Sequence, residues 1–153
     1  MESRSDSWTT PLWFFDYLNI DGKFNLDVAA SGENALCSRY FTEKTNGLIQ
    51  SWDGFRVWCN PPWSNISPWV EKLIESINHG KLDYCVMLLP LRGDQGWFHE
   101  LLRHFSIDLT FHEGRIAFGD PFLQKRTSPR EATFHATYPC SGNPLSLNLK
   151  EIK

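Results

Sequence analysis

No segment of this sequence approaches the roughly 20 consecutive apolar residues that a membrane-spanning helix needs. The opening stretch, MESRSDSW, is polar and has no apolar signal core. Positive charge is not in excess: 15 Lys and Arg stand against 18 Asp and Glu, a formal net charge of -3. That excludes a histone-like binder that holds nucleic acid by bulk phosphate neutralisation. An enzyme that meets nucleic acid through a local patch stays open. Repeats, low-complexity tracts and long linkers are also missing. The four cysteines, Cys37, Cys59, Cys85 and Cys140, show no CxxC spacing and no clustering with histidine, so no metal site is expected. Cys59 and Cys85 lie in apolar runs and read as reduced core residues, which fits a cytoplasmic protein. The five histidines have no ligand spacing, and WFHE lacks the second histidine four residues on that a zinc helix requires.

What is present suffices for one core, and 153 residues are expected to form a single domain over 1–153. Seven tryptophans and 14% aromatic residues exceed the needs of core filling, so part of them is expected to form stacking surface. Thr10 and Pro11 read as N-cap and first position of a short aromatic helix, PLWFFDYLN. Asp21-Gly22 reads as a turn, KFNLDVAAS as a short strand ending near Asp27, and NALCSRYF as a helical turn or two. FRVWC is a strand. Ser67 and Pro68 then cap an amphipathic helix whose inner face is Trp69, Val70, Leu73, Ile74 and Ile77, stopped by Gly80. LDYCVMLLP is a near-continuous apolar run, as in a central parallel strand, and QGWFHELLRHF a second amphipathic helix. SIDLT, RIAFG and ATFHATYP read as late strands, with a polar loop at 119–131.

Alternating strands and helices predict βαβ units and a mostly parallel sheet flanked by helices. Ligands of such sheets bind at the carboxyl ends of the strands. Three segments share that position, 27–31, 60–64 and 90–94, and one pocket is expected to collect them.

The middle segment is unusual: RVWCNPPWSNISPW sets two prolines between tryptophans directly after a buried strand. Pro61 and Pro62 fix φ and remove backbone donors, and each residue before a proline is pushed to an extended conformation. The stiff turn presents acceptors without competing donors, namely the Asn60 side-chain oxygen and the Pro61 carbonyl, beside the flat ring of Trp63. That set suits a planar ligand carrying an NH₂ group. Adenine's exocyclic amine is a poor nucleophile because its lone pair is delocalised. Two acceptors on its hydrogens favour a pyramidal nitrogen, and in-line attack on a sulfonium methyl then needs positioning and charge complementarity rather than a strong base. A base inside a duplex must be flipped out to reach such a pocket.

With these residues in view, the sequence resembles the phage-type DNA N6-adenine methyltransferases (Dam-like). The resemblance runs through WTTPLWFFDYLN, FNLDVAAS, NALCSRYFT, GLIQSW, VWCNPPWSNISPWVEK, LLPLRGDQGWFHE and GRIAF, most of residues 8–118. It implies an α/β fold, an abbreviated Rossmann-like methyltransferase fold dependent on S-adenosyl-L-methionine. NPPW resembles the family's [DNS]-P-P-[YFW] signature, which implies Asn60, Pro61, Pro62 and Trp63 as catalytic. LDVAAS stands where the cofactor-binding motif does, implying Asp27, Ala29, Ala30 and Ser31. The N-terminal motif adds Thr10, Pro11 and Phe15 at the methionine end. Arg92 borders the pocket and is counted, with Lys125, Arg126 and Arg130 of the polar loop, among the expected contacts to double-stranded DNA. Within these residues a separate recognition domain is not expected. Host-cell cytoplasm is the expected location of a phage-encoded enzyme.

Two departures stand out. The cofactor motif LDVAAS has no glycine, so its turn must differ from a Gly-rich one. The gap from Asp27 to Asn60 is too short for two further strand–helix units, because one βαβ unit takes about 30 residues. Glu43 is the nearest candidate for a ribose-binding acid, with a solvated loop residue as the plainer reading. Other acceptors offer the same NH₂: cytosine N4, an RNA base or a protein glutamine. A catalytically silent module that binds DNA or cofactor stands as a third reading.

Overall fold

The computed structural model describes residues 6, 8–120, 125–127, 131–140 and 145–153, with the backbone alone at 120 and 125–127. Arg130, one of the expected DNA contacts, lies outside the described residues.

The apolar run after Leu82 becomes β3 (Tyr84–Pro90), in which every residue after Tyr84 is buried. It occupies the middle of a six-stranded sheet because only a strand covered on both faces can bury such a run. β1 (Leu26–Asp27) and β2 (Arg56–Cys59) lie parallel on one side of it. β7 (Thr133–Tyr138) pairs antiparallel on the other, followed by β4 (Asp108–Glu113) and β8 (Ser146–Asn148). The order is β1-β2-β3-β7-β4-β8, and β7 alone runs against the other five. The expected mostly parallel sheet is therefore present.

Helices α1 (Leu12–Leu18), α2 (Ser67–Asn78) and α3 (Gly96–Arg103) cover it, and a last turn, α4 (Leu149–Ile152), follows β8. α2 buries Trp69, Val70 and Leu73 as its periodicity predicts, with Ile74 and Ile77 partly buried beside them. Gly80 ends it with φ +75, a left-handed conformation that costs glycine no Cβ clash. α3 buries Trp97, Phe98 and Leu101.

Several local expectations are corrected. Neither Thr10 nor Ser67 caps a helix with its side chain: the caps are Pro11 and Ile66, and Ser67 is already helical. NALCSRYF forms no helix. It bends instead, and its last residues pair along β1: Asp27 N donates to Arg39 O, Phe41 N to Asp27 O and Ala30 N to Phe41 O. Residues 39–41 thus lie along the outer edge of β1 through a parallel bridge at Tyr40. This is how the fold does without further strands there. Part of the 119–131 loop is a hairpin in which β5 (Phe118–Asp120) pairs antiparallel with β6 (Lys125–Thr127).

Candidate active site

The carboxyl ends of β1 and β2 open on a cleft of about 510 Å³, its mouth included. Asp27 and Ala29 line it from the first loop, and Asn60, Pro61 and Trp63 from the second. Thr10 lines it from the segment before α1. Six of the sequence-predicted residues therefore meet in one place. The structure does not set Pro11, Phe15, Ala30, Ser31, Pro62 or Arg92 on that lining. Phe15 packs inward against Phe24 and Trp58. Lys125 and Arg126 lie in β6, paired with the strand that begins at the lining residue Phe118 but not themselves on the lining, and only their backbone is described.

Asn60 follows β2 and is half-buried. Its Nδ2 donates to Thr10 Oγ1 at 3.0 Å, which turns Oδ1 the other way. Among the described residues no protein donor is recorded on that oxygen. Thr10 is 8% exposed, and its hydroxyl serves this amide instead of a helix cap. Trp63 is only 7% exposed, with Phe118 edge-on to it at 5.3 Å and 83°. It forms a wall beside the acceptors rather than an open platform. Its carbonyl accepts from Arg92 Nη1 at 2.8 Å. Ser64 closes the loop by donating through its backbone N to Asp6 at 3.2 Å.

Asp27 is 3% exposed and braces the first loop: Oδ1 accepts from Ala29 N at 3.3 Å and Oδ2 from Leu36 N at 3.1 Å. Burial pushes its carboxyl up to about 6, against the opposing pull of those two amides. Ser31 and Asn34 then exchange bonds, Ser31 N to Asn34 Oδ1 at 2.7 Å and Asn34 N to Ser31 Oγ at 3.2 Å. The loop contains no left-handed residue, and its glycine, Gly32, follows Ser31 without a positive φ. The close approach is made by Gly47 instead, where a Cβ would stand 2.1 Å from Val28 O. Glu43 is exposed and lies off the cleft lining.

Sequence reasoning missed the far wall. Trp8 stacks on Phe118 at 6.1 Å, and Phe118 touches Trp63, so an aromatic run from three distant segments closes the cleft. The high tryptophan content was the available signal, but it does not say which rings meet. The indole N–H groups of Trp8 and Trp63 are buried and have no partner among the described residues. A second missed feature lies behind α1. His112 and His135, from β4 and β7, share a hydrogen bond of 2.7 Å, and His112 Nδ1 is 2.7 Å from Thr133 Oγ1. Burial holds both rings neutral, with pKa values lowered to about 3 for His112 and about 4 for His135. Among the described residues no three or more metal-ligating side chains gather, and no helix is long and apolar enough to cross a membrane.

The family model described as DNA N-6-adenine-methyltransferase (Dam) matches residues 1–136. The chain belongs to this family. One relative in it, a DNA N-6-adenine-methyltransferase of Haemophilus phage HP1, is 36% identical over 131 residues, 82% of this chain and 71% of that protein. Another, of Escherichia phage T1, carries the same description and is 40% identical over 97 residues, 62% of this chain but 40% of its own length. A solved structure of a candidate RNA methyltransferase from Pyrococcus horikoshii superposes on 80% of this chain and 66% of its own at 12% identity, with a TM-score of 0.48, a likeness too loose to carry an argument.

The cleft can be tested against the methyl donor that a methyltransferase family implies. Trp8 and Trp63, whose buried indole N–H groups have no partner among the described residues, line it together with Asp27. Aromatic faces and acids suit a cationic nucleoside-amino acid, so the residues fit the group.

Proposed function

We propose that this chain transfers a methyl group from S-adenosyl-L-methionine to the N6 amine of an adenine flipped out of double-stranded DNA. The observation that carries the reading is Asn60: its amide nitrogen is engaged by Thr10, which leaves Oδ1 for a substrate N–H. The bound cofactor supplies an electrophilic methyl on a positively charged sulfur. Asp27 holds the first loop in shape through Ala29 and Leu36, and Ala29 lies on the cleft wall where the cofactor's methionine part would approach. Asn60 Oδ1 and the Pro61 carbonyl each accept one hydrogen of the adenine amine. The nitrogen then pyramidalises, and its lone pair becomes available for in-line attack. As the new C–N bond forms and the methyl–sulfur bond breaks, positive charge passes to N6, where the same two dipoles stabilise it, and N6 would then release one proton to solvent while the neutral thioether departs. Pro61 and Pro62 contribute stiffness, since neither can rotate in φ or offer a competing donor. Trp63, Trp8 and Phe118 form the apolar wall on which a planar base would rest and from which water is excluded. Lys125, Arg126 and Arg130 supply the phosphate contacts that hold the duplex. Host cytoplasm, where duplex DNA and the cofactor coexist, is the expected place of action.

The direct test is labelled cofactor with duplex DNA, followed by nucleoside analysis. N6-methyladenine is expected. Label in N4-methylcytosine, in RNA or in protein would redirect the reading, and folded protein that transfers nothing would end it.

A further inference from the structure

The catalytic loop is held from the far side by one cation. Arg92 stands two residues past the end of β3. Its Nε donates to Glu131 Oε2 at 2.6 Å, Nη2 donates to Oε1 at 2.8 Å, and Nη1 donates to the Trp63 carbonyl at 2.8 Å. A planar guanidinium can bind a carboxylate bidentately and still reach a carbonyl, whereas a lysine ammonium has no such fork. Glu131 is the end of the segment 119–131. The beginning of that segment is fixed too: Thr9 and Gly119 exchange both backbone bonds, at 2.8 and 2.9 Å. A Cβ on Gly119 would meet Thr9 Oγ1 at 2.3 Å. Thr9 adjoins Thr10, the partner of Asn60. One foot of the segment carrying Lys125 and Arg126 therefore stands on Thr9, next to the partner of Asn60, and the other on Arg92, which holds the Trp63 carbonyl.

We propose that Arg92 and Glu131 are a positioning pair for this loop, and that Arg92 is committed to the Trp63 carbonyl rather than to a DNA phosphate. The inference rests on the methyltransferase reading above. With its carbonyl held, the peptide plane after Trp63 cannot rotate, and misplacement by an ångström at such a site is costly in rate. Paired with Glu131, Arg92 adds no net positive charge for the phosphates to attract.

The two roles predict opposite results for Glu131→Gln. If the pair positions the loop, kcat falls about tenfold, while DNA affinity, its salt dependence and cofactor affinity stay at wild-type values. If Arg92 serves phosphate, removing its counter-charge tightens DNA binding and spares kcat, which overturns the proposal. Arg92→Lys keeps the charge but not the fork, and is expected to lower kcat with an unchanged salt slope. A slope reduced by about 1 in Arg92→Ala marks a lost phosphate contact and also overturns it. Thermal melts accompany each variant, and Arg92→Lys carries the test if Glu131→Gln does not fold. The wild type runs beside them: if it forms no N6-methyladenine, the methyltransferase reading falls and takes the pair with it. An active wild type with unaffected variants overturns the pair alone.

Discussion

Thr10 Oγ1 accepts the amide nitrogen of Asn60 at 3.0 Å, which joins the residue two before α1 to the residue just after β2. A threonine that reads as a helix cap thus sets which face of the asparagine meets the cleft. Thr10→Val keeps the shape and loses the hydroxyl, so kcat should fall about tenfold, the worth of one net hydrogen bond. Cofactor affinity should stay unchanged, and Thr10→Ser should recover the rate. A raised cofactor Kd in Thr10→Val would instead place Thr10 on the cofactor. Asn60→Ala should abolish turnover and leave the melting temperature near that of the wild type.

Gly47 is the residue against which the first loop is set. Gly47→Ala puts a Cβ 2.1 Å from Val28 O, which is backbone and has little freedom to move. A loss of about 2 kcal/mol in urea denaturation is expected, together with weaker cofactor binding because Val28 precedes Ala29. Gly96→Ala, where a Cβ meets nothing within 4 Å, should be neutral or mildly stabilising.

The His112–His135 pair should make the protein acid-labile. Both rings are held below their ordinary value, so the unfolded chain binds more protons as pH falls from about 6.5 towards 4 and 3. The stability they protect is complete above pH ~6.5 and drains away below it. Melting temperatures at pH 7 and 5 should show a steep drop for the wild type. His135→Gln, with one titrating ring fewer, should drop less across that interval, although it starts lower at pH 7.

Asp27 works in the opposite sense. Its carboxyl is raised to about 6, so between pH ~4 and 6 the folded state holds a proton that the unfolded state releases. Asp27 therefore adds stability as pH falls through 6, reaching about 3 kcal/mol near pH 4. The deficit of Asp27→Asn relative to wild type should be larger at pH 4 than at pH 7 by that order. Urea midpoints at the two pH values check it, and an equal deficit at both would mean that Asp27 titrates normally.

The elements that sequence made legible are those whose signal is local. LDYCVMLLP announces a strand buried on both faces, and the spacing of Trp69, Val70 and Leu73 announces one face of a helix. NPPW is legible because proline dictates its own backbone. What stayed hidden depends on partners elsewhere in the chain. NALCSRYF has helical composition, but the open edge of β1 competes for its backbone bonds and wins. KRT reads as polar loop because its strand character comes from pairing with Phe118–Asp120. The hydrogen bond from Asn60 to Thr10 spans 50 positions, that from Arg92 to Glu131 39 and that between the two histidines 23, distances at which periodicity carries no information. Arg92 illustrates the result: its type and place suggested a phosphate contact, and only the fold reveals Glu131 opposite.

The bridge between Thr9 and Gly119 joins residues 110 positions apart. It has a consequence for the order in which the molecule is made. A ribosome that has released the first hundred residues has delivered NPPW, the loop after β1 and Thr10, yet it has not delivered Phe118, Gly119 or Glu131. The nascent chain therefore holds every proposed reacting group before it holds the wall and the struts that aim them. Competence for methyl transfer is expected to arrive late and all at once during synthesis, when the segment up to 131 docks onto parts already folded.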